Sequence, residues 1–448
     1  MNSTNTASTS AKTAGSKAHA WYVVALLMVA FTFSHMDRNV MSILLNSIKG
    51  DLGLTDLEAG LMHGPAFALF YVAFGLPIAR AADRFNRVNI ISVAIALWSG
   101  MTALCGAAGN FIQLALARMG VGIGEAGCVP PAQSIIADYI PPHNRAFAMS
   151  IFSLGAPLGV LLGNVLGGYL DDVLSWRHAF WIIGIPGILV ALVIKLTIKE
   201  PERGSMDSIP MTAGNTPPVG EVLKTIWKLK SLKHMMIGSS LIVFGGYGAT
   251  AWMPAFLERS HGLETFQVGL MLGPAMLLGG VGGLLLSGRL TDNLVQKSVT
   301  WYARVPALAT LCAVPFTVFI MLIPQATVTL FGISFATYWL VISLIIIPGA
   351  AYISYMGPAN ALMQNMMPPR MRAMTVAIFL FVTNLVGMGL GPPLIGQVSD
   401  IMQGQYGNEG LRYSLLSFSF VYVWAAFHFF RARRYLVRDL GTEQIIKR

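Results

Sequence analysis

Charge is scarce in this 448-residue chain. Asp, Glu, Lys and Arg make up 11% of it, against roughly 25% in ordinary soluble domains. A soluble fold of this size could not hide the apolar surface that remains, so that class is excluded. Cysteine is rarer still: Cys105, Cys128 and Cys312 all fall in apolar segments, which excludes a disulfide framework or a thiolate metal site. The eight histidines are scattered, without metal or nucleophile spacing, so neither metal nor cofactor is expected. A membrane-embedded hydrolase or acyltransferase would need a His/Asp cluster or a Ser/His pair at one face, and it stays a remote alternative. No Walker-type phosphate loop occurs, which argues against direct ATP drive. Basic stripes are missing too. The net charge of +10 sits in short connections and at the termini, so nucleic acid is not an expected partner.

What the chain has is hydrophobicity, at 55%, with 46 glycines and 23 prolines, a mixture that membrane helices tolerate. Apolar runs long enough to cross about 30 Å of hydrocarbon recur along it. They are Trp21–Leu45, Leu57–Ala79, Asn89–Ala108, Phe111–Asp138, Ala146–Leu170 and His178–Leu196, then His234–Leu257, Thr265–Leu290, Tyr302–Ile323, Phe331–Met366, Ala373–Val398 and Tyr413–Phe430. The expected fold is an all-α membrane protein of 12 transmembrane helices in two pseudo-symmetric six-helix bundles. The predicted division is a disordered tail over 1–20, an N-terminal bundle over 21–197, a linker over 198–233, a C-terminal bundle over 234–433 and a tail over 434–448. The linker carries Pro201, Pro210, Pro217 and Pro218 and a short surface helix at Glu221–Leu232. The Ser/Thr/Ala-rich start lacks an apolar core and a cleavage site, so helix 1 is expected to be the insertion signal.

Orientation follows from the cations. Of the 30, 24 fall on the side of the termini and linker and 4 (Lys49, Arg177, Arg259, Arg412) on the other. The positive-inside rule then puts both termini in the cytoplasm of a multi-pass cell-membrane protein. The halves also echo each other. Pro141-Pro142-His143-Asn144-Arg145-Ala146, leading to Ile151-Phe152, parallels Pro368-Pro369-Arg370-Met371-Arg372-Ala373, leading to Ile378-Phe379. Six-helix repeats about an axis along the membrane normal are a transporter architecture, with the site between them near mid-membrane.

Between helices 2 and 3 stands Arg80-Ala81-Ala82-Asp83-Arg84-Phe85-Asn86-Arg87, and between helices 8 and 9 Gly288-Arg289-Leu290-Thr291-Asp292. This resembles the G-x-x-x-D-R-x-G-R signature of the major facilitator superfamily. Ala79 and Asn86 replace its glycines in the first copy, and Asn293 its Arg in the second. The resemblance implies a conformational latch among Asp83, Arg84, Arg87, Asp138, Arg145 and Asp292. Helix 5 carries Gly155, Gly159, Gly163, Gly167 and Gly168, and helix 11 carries Gly387, Gly389, Gly391 and Gly396; in the superfamily such stretches pack the halves together. Asp37-Arg38, Arg118-Met119-Gly120-Val121-Gly122-Ile123-Gly124-Glu125-Ala126, Ala137-Asp138-Tyr139-Ile140-Pro141, Trp176-Arg177-His178-Ala179-Phe180 and Glu200-Pro201-Glu202-Arg203-Gly204 narrow it further. This ensemble looks like the Spinster branch, in its bacterial members. It implies transport of sphingosine-1-phosphate-like or lysophospholipid-like amphiphiles with proton coupling.

Independently of family, Asp37, Arg38, Arg118 and Glu125 lie inside predicted helices. A charge at the bilayer centre costs at least about 2.5 kcal/mol, so such groups pair or line a wet cavity. Arg118 and Glu125 are two turns apart on one face, roughly 10 Å along the axis, too far to satisfy each other. Similar depths predict that Asp37 meets Arg118, with Glu125 deeper and Arg38 free for an anionic ligand or for Glu125. A dry carboxylate gains or loses a proton as an Arg leaves or returns, and Arg presents a permanent planar fork for phosphate or carboxylate. Asp37 and Glu125 are therefore the proton-coupling candidates, and Arg38 and Arg118 the substrate-binding ones; the alternative is a static ion-pair network. In the C-half, Tyr247, Thr250, Tyr352, Tyr355, Asn360 and Asn384 are further substrate candidates by family analogy. The expected partners are membrane lipids, protons and an amphiphilic or small anionic substrate, with the chain a monomer. A small organic-anion or sugar-acid permease is the alternative within the same superfamily.

Overall fold

The computed structural model describes residues 17–206, 218–330, 333–368 and 371–441. The distal parts of both predicted tails and the middle of the linker lie outside the described residues. Because the bilayer offers no hydrogen-bond partners, the crossing segments must satisfy their backbone internally, and they are helical.

The N-half runs α1 (Lys17–Ile43), α2 (Leu45–Leu52), α3 (Asp56–His63), α4 (Pro65–Arg84), α5 (Arg87–Gly106), α6 (Phe111–Glu125), α7 (Val129–Tyr139), α8 (Pro142–Ser153), α9 (Gly155–Val173) and α10 (Trp176–Thr197). Pairs α3/α4, α6/α7 and α8/α9 each form one interrupted crossing. The linker contributes α11 (Val219–Lys228). The C-half runs α12 (Lys230–His261), α13 (Thr265–Val295), α14 (Trp301–Leu322), α15 (Tyr338–Ile353), α16 (Met356–Met366), α17 (Arg372–Tyr406), α18 (Gly410–Phe418) and α19 (Phe420–Asp439). After α17 the chain reverses at Gly407, whose φ of +55° favours glycine. Counting α15/α16 and α18/α19 as one crossing each, the described residues make the expected twelve. Large apolar side chains on the outer surface, such as Val93, Ile112, Leu116 and Leu285, are more than half exposed; hydrocarbon is the solvent that suits them.

Several boundaries differ from the sequence expectation: α17 runs on past Val398 to Tyr406 and α19 past Phe430 to Asp439, and two further differences have a local cause. The tenth span does not begin at 331: Thr327–Leu330 and Ile333–Ala336 pair as an antiparallel hairpin, β1 and β2. Its alternating Thr, Val, Ser and Phe residues favour strand, and a short apolar run cannot be told from helix by hydrophobicity alone. The linker helix ends at Lys228 rather than continuing to Leu232, because Leu229 turns extended (φ −83°, ψ 99°) and α12 starts anew.

The halves repeat one packing plan. α1 lies on α9 as α12 lies on α17, and α5 on α10 as α14 on α19. Between the halves, α9 meets α13, and α17 meets α3 and α4. The glycine stretches mostly serve the first kind of contact, not the expected one between halves. A Cβ on Gly155 or Gly163 would stand 2.7–2.8 Å from a carbonyl of α1, and one on Gly391 2.6 Å from a carbonyl of α12. Only the last glycine of each stretch reaches across: Gly168 to Thr265 and Gly396 to Asp56.

Among the described residues, the hydrogen bonds between the halves lie at the ends away from the linker, here called the far face, apart from those of Ser42 with the Thr250 and Ala251 carbonyls further in. Asp56 is its centre. Buried completely, it accepts from Arg259 (2.8 and 2.9 Å), Ser399 (2.6 Å) and Gln403 (2.8 Å) of the C-half and from Lys49 (2.6 Å) of its own half. Asp400 in return accepts the backbone N–H groups of Asp56 and Leu57, each at 2.8 Å. The far face is closed, whereas no hydrogen bond or ion pair among the described residues joins the halves at the linker face, and that unjoined boundary is here called the cleft.

Candidate functional site

Pro130-Pro131 cannot supply amide hydrogens, so the fourth crossing breaks just ahead of them and Glu125 becomes the last residue of α6. Pro358 breaks the tenth crossing at Ser354–Tyr355 in the same manner. Interrupted helices at mid-membrane are where transporters build their sites.

At the first break Glu125 accepts two bonds from α1 on one oxygen: Arg38 Nε at 2.6 Å and Ser34 Oγ at 2.7 Å. The Arg38 guanidinium lies between Phe67 and Tyr71 of α4, 4.8 Å from each ring centroid, a stacking that suits its weakly hydrated plane. Its side chain stays 17% exposed, while that of Glu125 is sealed. Arg38 is thus the member of the group that looks into the cleft.

Asp37 and Arg118 do not form the expected ion pair. Asp37 accepts from Thr102 Oγ1 of α5 at 2.9 Å, and Arg118 packs 5.3 Å from the Phe67 centroid. The reason is rotation: Asp37 points at α5 and Arg118 at α4, a difference that equal depth along the axis does not reveal. Both are 1% exposed, and Asp37 Oδ1, Arg118 Nε and Nη1, and Glu125 Oε1 make no hydrogen bond. Buried polar atoms normally have partners. The cluster therefore holds unused donors and acceptors.

Across the boundary, Tyr247 of α12 stacks 5.5 Å from His63 of α3 and lies within electrostatic range of Arg38 and Arg118. One turn on, the Thr250 and Ala251 carbonyls accept Ser42 Oγ of α1 at 3.1 and 2.8 Å. Thr250 also lines a small apolar cavity of about 70 Å³ within the C-half, together with Met253, Met276, Tyr352, Phe418 and Tyr422. Tyr355 packs in the C-half core instead. Asn360 and Asn384, both half-buried, make no hydrogen bond among the described residues. The eight substrate candidates thus divide into Arg38 and Arg118 on a charged wall, Tyr247 across from it, Thr250 and Tyr352 in the cavity lining, and Tyr355, Asn360 and Asn384 apart from these.

The six latch candidates divide as well. Arg87, 1% exposed, bonds Asp138, Glu200 Oε1 (2.7 Å), Ser134 Oγ (2.8 Å) and the Pro201 carbonyl (2.8 Å), and Arg145 holds the Ala137 carbonyl at 2.7 Å. Asp83, Arg84 and Asp292 are exposed and join no ion pair among the described residues. The buried knot ties α5, α7 and the linker within one half; it is no bridge between halves. Sequence reasoning missed Ser34, Thr102, Glu200 and the Asp56–Arg259 closure.

Two six-helix halves joined at one face, with an embedded ion pair near their boundary, have the architecture of a membrane transporter. The sequence profile of the Major Facilitator Superfamily matches residues 27–434, and the chain belongs to that family. Within it the chain is Spinster-like. A crystal structure of a bacterial homologue of the human lysosomal transporter Spinster, inward-facing and unoccupied, superposes with a TM-score of 0.85 at 31% identity, covering 95% of this chain and 99% of that one. An MFS-type efflux pump of Mycolicibacterium smegmatis is 30% identical over 89% of this chain and 88% of its own. The sphingosine-1-phosphate transporter SPNS2 of Danio rerio is 26% identical over 94% of this chain and 86% of its own. Bacterial proteins named for sugar-acid transport match as well, over 64–68% of this chain.

Proposed function

We propose that the protein is a proton-coupled secondary transporter of an amphiphilic anion of the lysophospholipid or sphingosine-1-phosphate type, acting as a monomer with its linker face in the cytoplasm of the cell membrane. The observation that carries this reading is Arg38: partly open to the cleft, held by Glu125, and close to a C-half boundary behind which lies an apolar cavity. An anionic head entering the cleft competes with Glu125 for the guanidinium fork. The carboxylate so released, in a dry site, takes up a proton. Neutralising it removes the cost of moving a bare charge when the halves rock and the linker face closes. On the other side the head leaves, Arg38 recaptures Glu125 and the proton is released. The apolar cavity holds the tail, and the charged N-half wall holds the head. No covalent step is involved, so the protein is not an enzyme.

A small organic-anion permease is the second reading. It is favoured by the two unpartnered N–H groups of Arg118, which would suit a short carboxylate. Proteoliposomes loaded with labelled lysophosphatidate or labelled galactarate, with and without a pH gradient, separate the two. Gradient-dependent flux of the amphiphile supports the leading reading. Galactarate flux with none of the amphiphile would replace it by the second.

A further inference from the structure

The linker helix α11 has an apolar arc in two parts. Val222 and Ile226 are buried against the protein, while Val219, Leu223 and Trp227, spaced four apart on the adjoining stripe, are 38%, 42% and 58% exposed. Lys224 and Lys228 stand on the opposite side of the helix. A short helix with an exposed apolar stripe and a basic edge suits the boundary between acyl chains and headgroups.

Its neighbours carry the same signature. Lys233 of α12 lies over the Trp227 ring at 5.1 Å, and Lys230 over Tyr435 of α19 at 5.5 Å. Tyr435 stacks on His234 (5.7 Å, 4° between planes), whose Nδ1 is 3.0 Å from that of His428. Arg431 lies over Phe427, which is 54% exposed, as Trp424 is 49% exposed. Lys230, Lys233 and Arg431 join no ion pair among the described residues, and the nearby Asp439 is already taken by Ser231 N and Oγ at 2.8 and 2.9 Å. These cations and rings form an edge with unspent positive charge beside exposed apolar surface.

We propose that this edge binds the phosphate of an anionic phospholipid of the surrounding leaflet, with α11 lying in the headgroup layer as an in-plane anchor. Lys230, Lys233 and Arg431 supply the charge, and Trp227, Phe427 and Trp424 the flanking apolar contact. A soluble polyanion would meet the same cations but would leave the Val219–Leu223–Trp227 stripe in water, so charge and greasiness together select a lipid. The bound headgroup fixes the linker end of the C-half in the membrane plane, through the contacts of α11 with α12 and α17.

The test is native mass spectrometry of the full-length protein with phosphatidylglycerol or phosphatidylcholine of identical chains. The wild type is expected to retain phosphatidylglycerol selectively, and inorganic phosphate should not displace it. Each surface cation is worth about fivefold, so Lys230→Gln/Lys233→Gln/Arg431→Gln should lower retention roughly a hundredfold, while Lys195→Gln/Lys199→Gln on the same face should leave it unchanged. Should the triple variant fail to fold, Trp227→Ala takes its place, with a smaller loss expected. Equal retention of both lipids by the wild type, equal loss in the control pair, or displacement by phosphate or a polyglutamate peptide would overturn the proposal.

Discussion

Arg38 and Glu125, on α1 and α6, share one short ion pair at 2.6 Å in which the acid is sealed and the base still touches the cleft. That asymmetry gives the pair a handle. A ligand can reach the cation without first unpacking the anion. Removing Arg38 alone strands Glu125 and Ser34 around an uncompensated buried charge, and breaking such pairs costs about 3–5 kcal/mol. Arg38→Ala should therefore lower thermal stability more than the double variant Arg38→Ala/Glu125→Gln, which removes both charges. Melting curves in detergent check this, and equal losses would mean that the two groups are not coupled.

Closure of the far face depends on Asp56, which four side chains address. Asp56→Asn removes the charge that Arg259 and Lys49 share, and the expected cost is about 3 kcal/mol or more. Lys49 lies in the same half and loses its partner in either state, whereas the contacts from Arg259, Ser399 and Gln403 exist only in the far-closed state, so the population should shift towards opening there. Spin-label distances between the far ends of α3 and α17 should lengthen in the variant and stay short in the wild type.

Gly60 gives an independent handle on the same closure. A Cβ there would sit 2.5 Å from the Pro392 carbonyl, which is backbone and cannot swing away. Gly60→Val is expected to insert and fold, to hold the far face apart and to abolish net transport. Normal flux in this variant would mean that α3 and α17 never approach so closely.

The apolar cavity predicts a chain-length rule. Met276→Trp adds bulk to its wall, at an overpacking cost of about 1–3 kcal/mol, and should exclude long tails while leaving the head site intact. Competition by a series of lysophospholipids should then favour short chains in the variant and long ones in the wild type.

Much of this was legible in the sequence. Length and hydropathy give the crossings, because backbone in hydrocarbon has only one way to satisfy itself, and the embedded charges mark the N-half wall because hydrocarbon makes them costly. Depth along a helix could be counted, and it brought Arg38 within reach of Glu125. Rotation about the axis could not, and so Asp37 was matched with Arg118 when it faces Thr102. The far-face closure was hidden differently. Lys49, Arg177, Arg259 and Arg412 read as topology charges, yet each forms an ion pair, with Asp56, Asp51, Asp56 and Glu409 respectively. Pairs so distant in sequence as Asp56 and Arg259 exist only once the two halves have been brought together.

The most direct measurement is proton uptake. Lysophosphatidate added to purified protein in lightly buffered detergent solution near neutral pH should make the wild type take up about one proton per molecule bound, the stoichiometry of a single carboxylate released from its Arg. Glu125→Gln should bind the lipid and take up none. Binding by the wild type with no change in pH, or the same uptake by Glu125→Gln, would contradict the account.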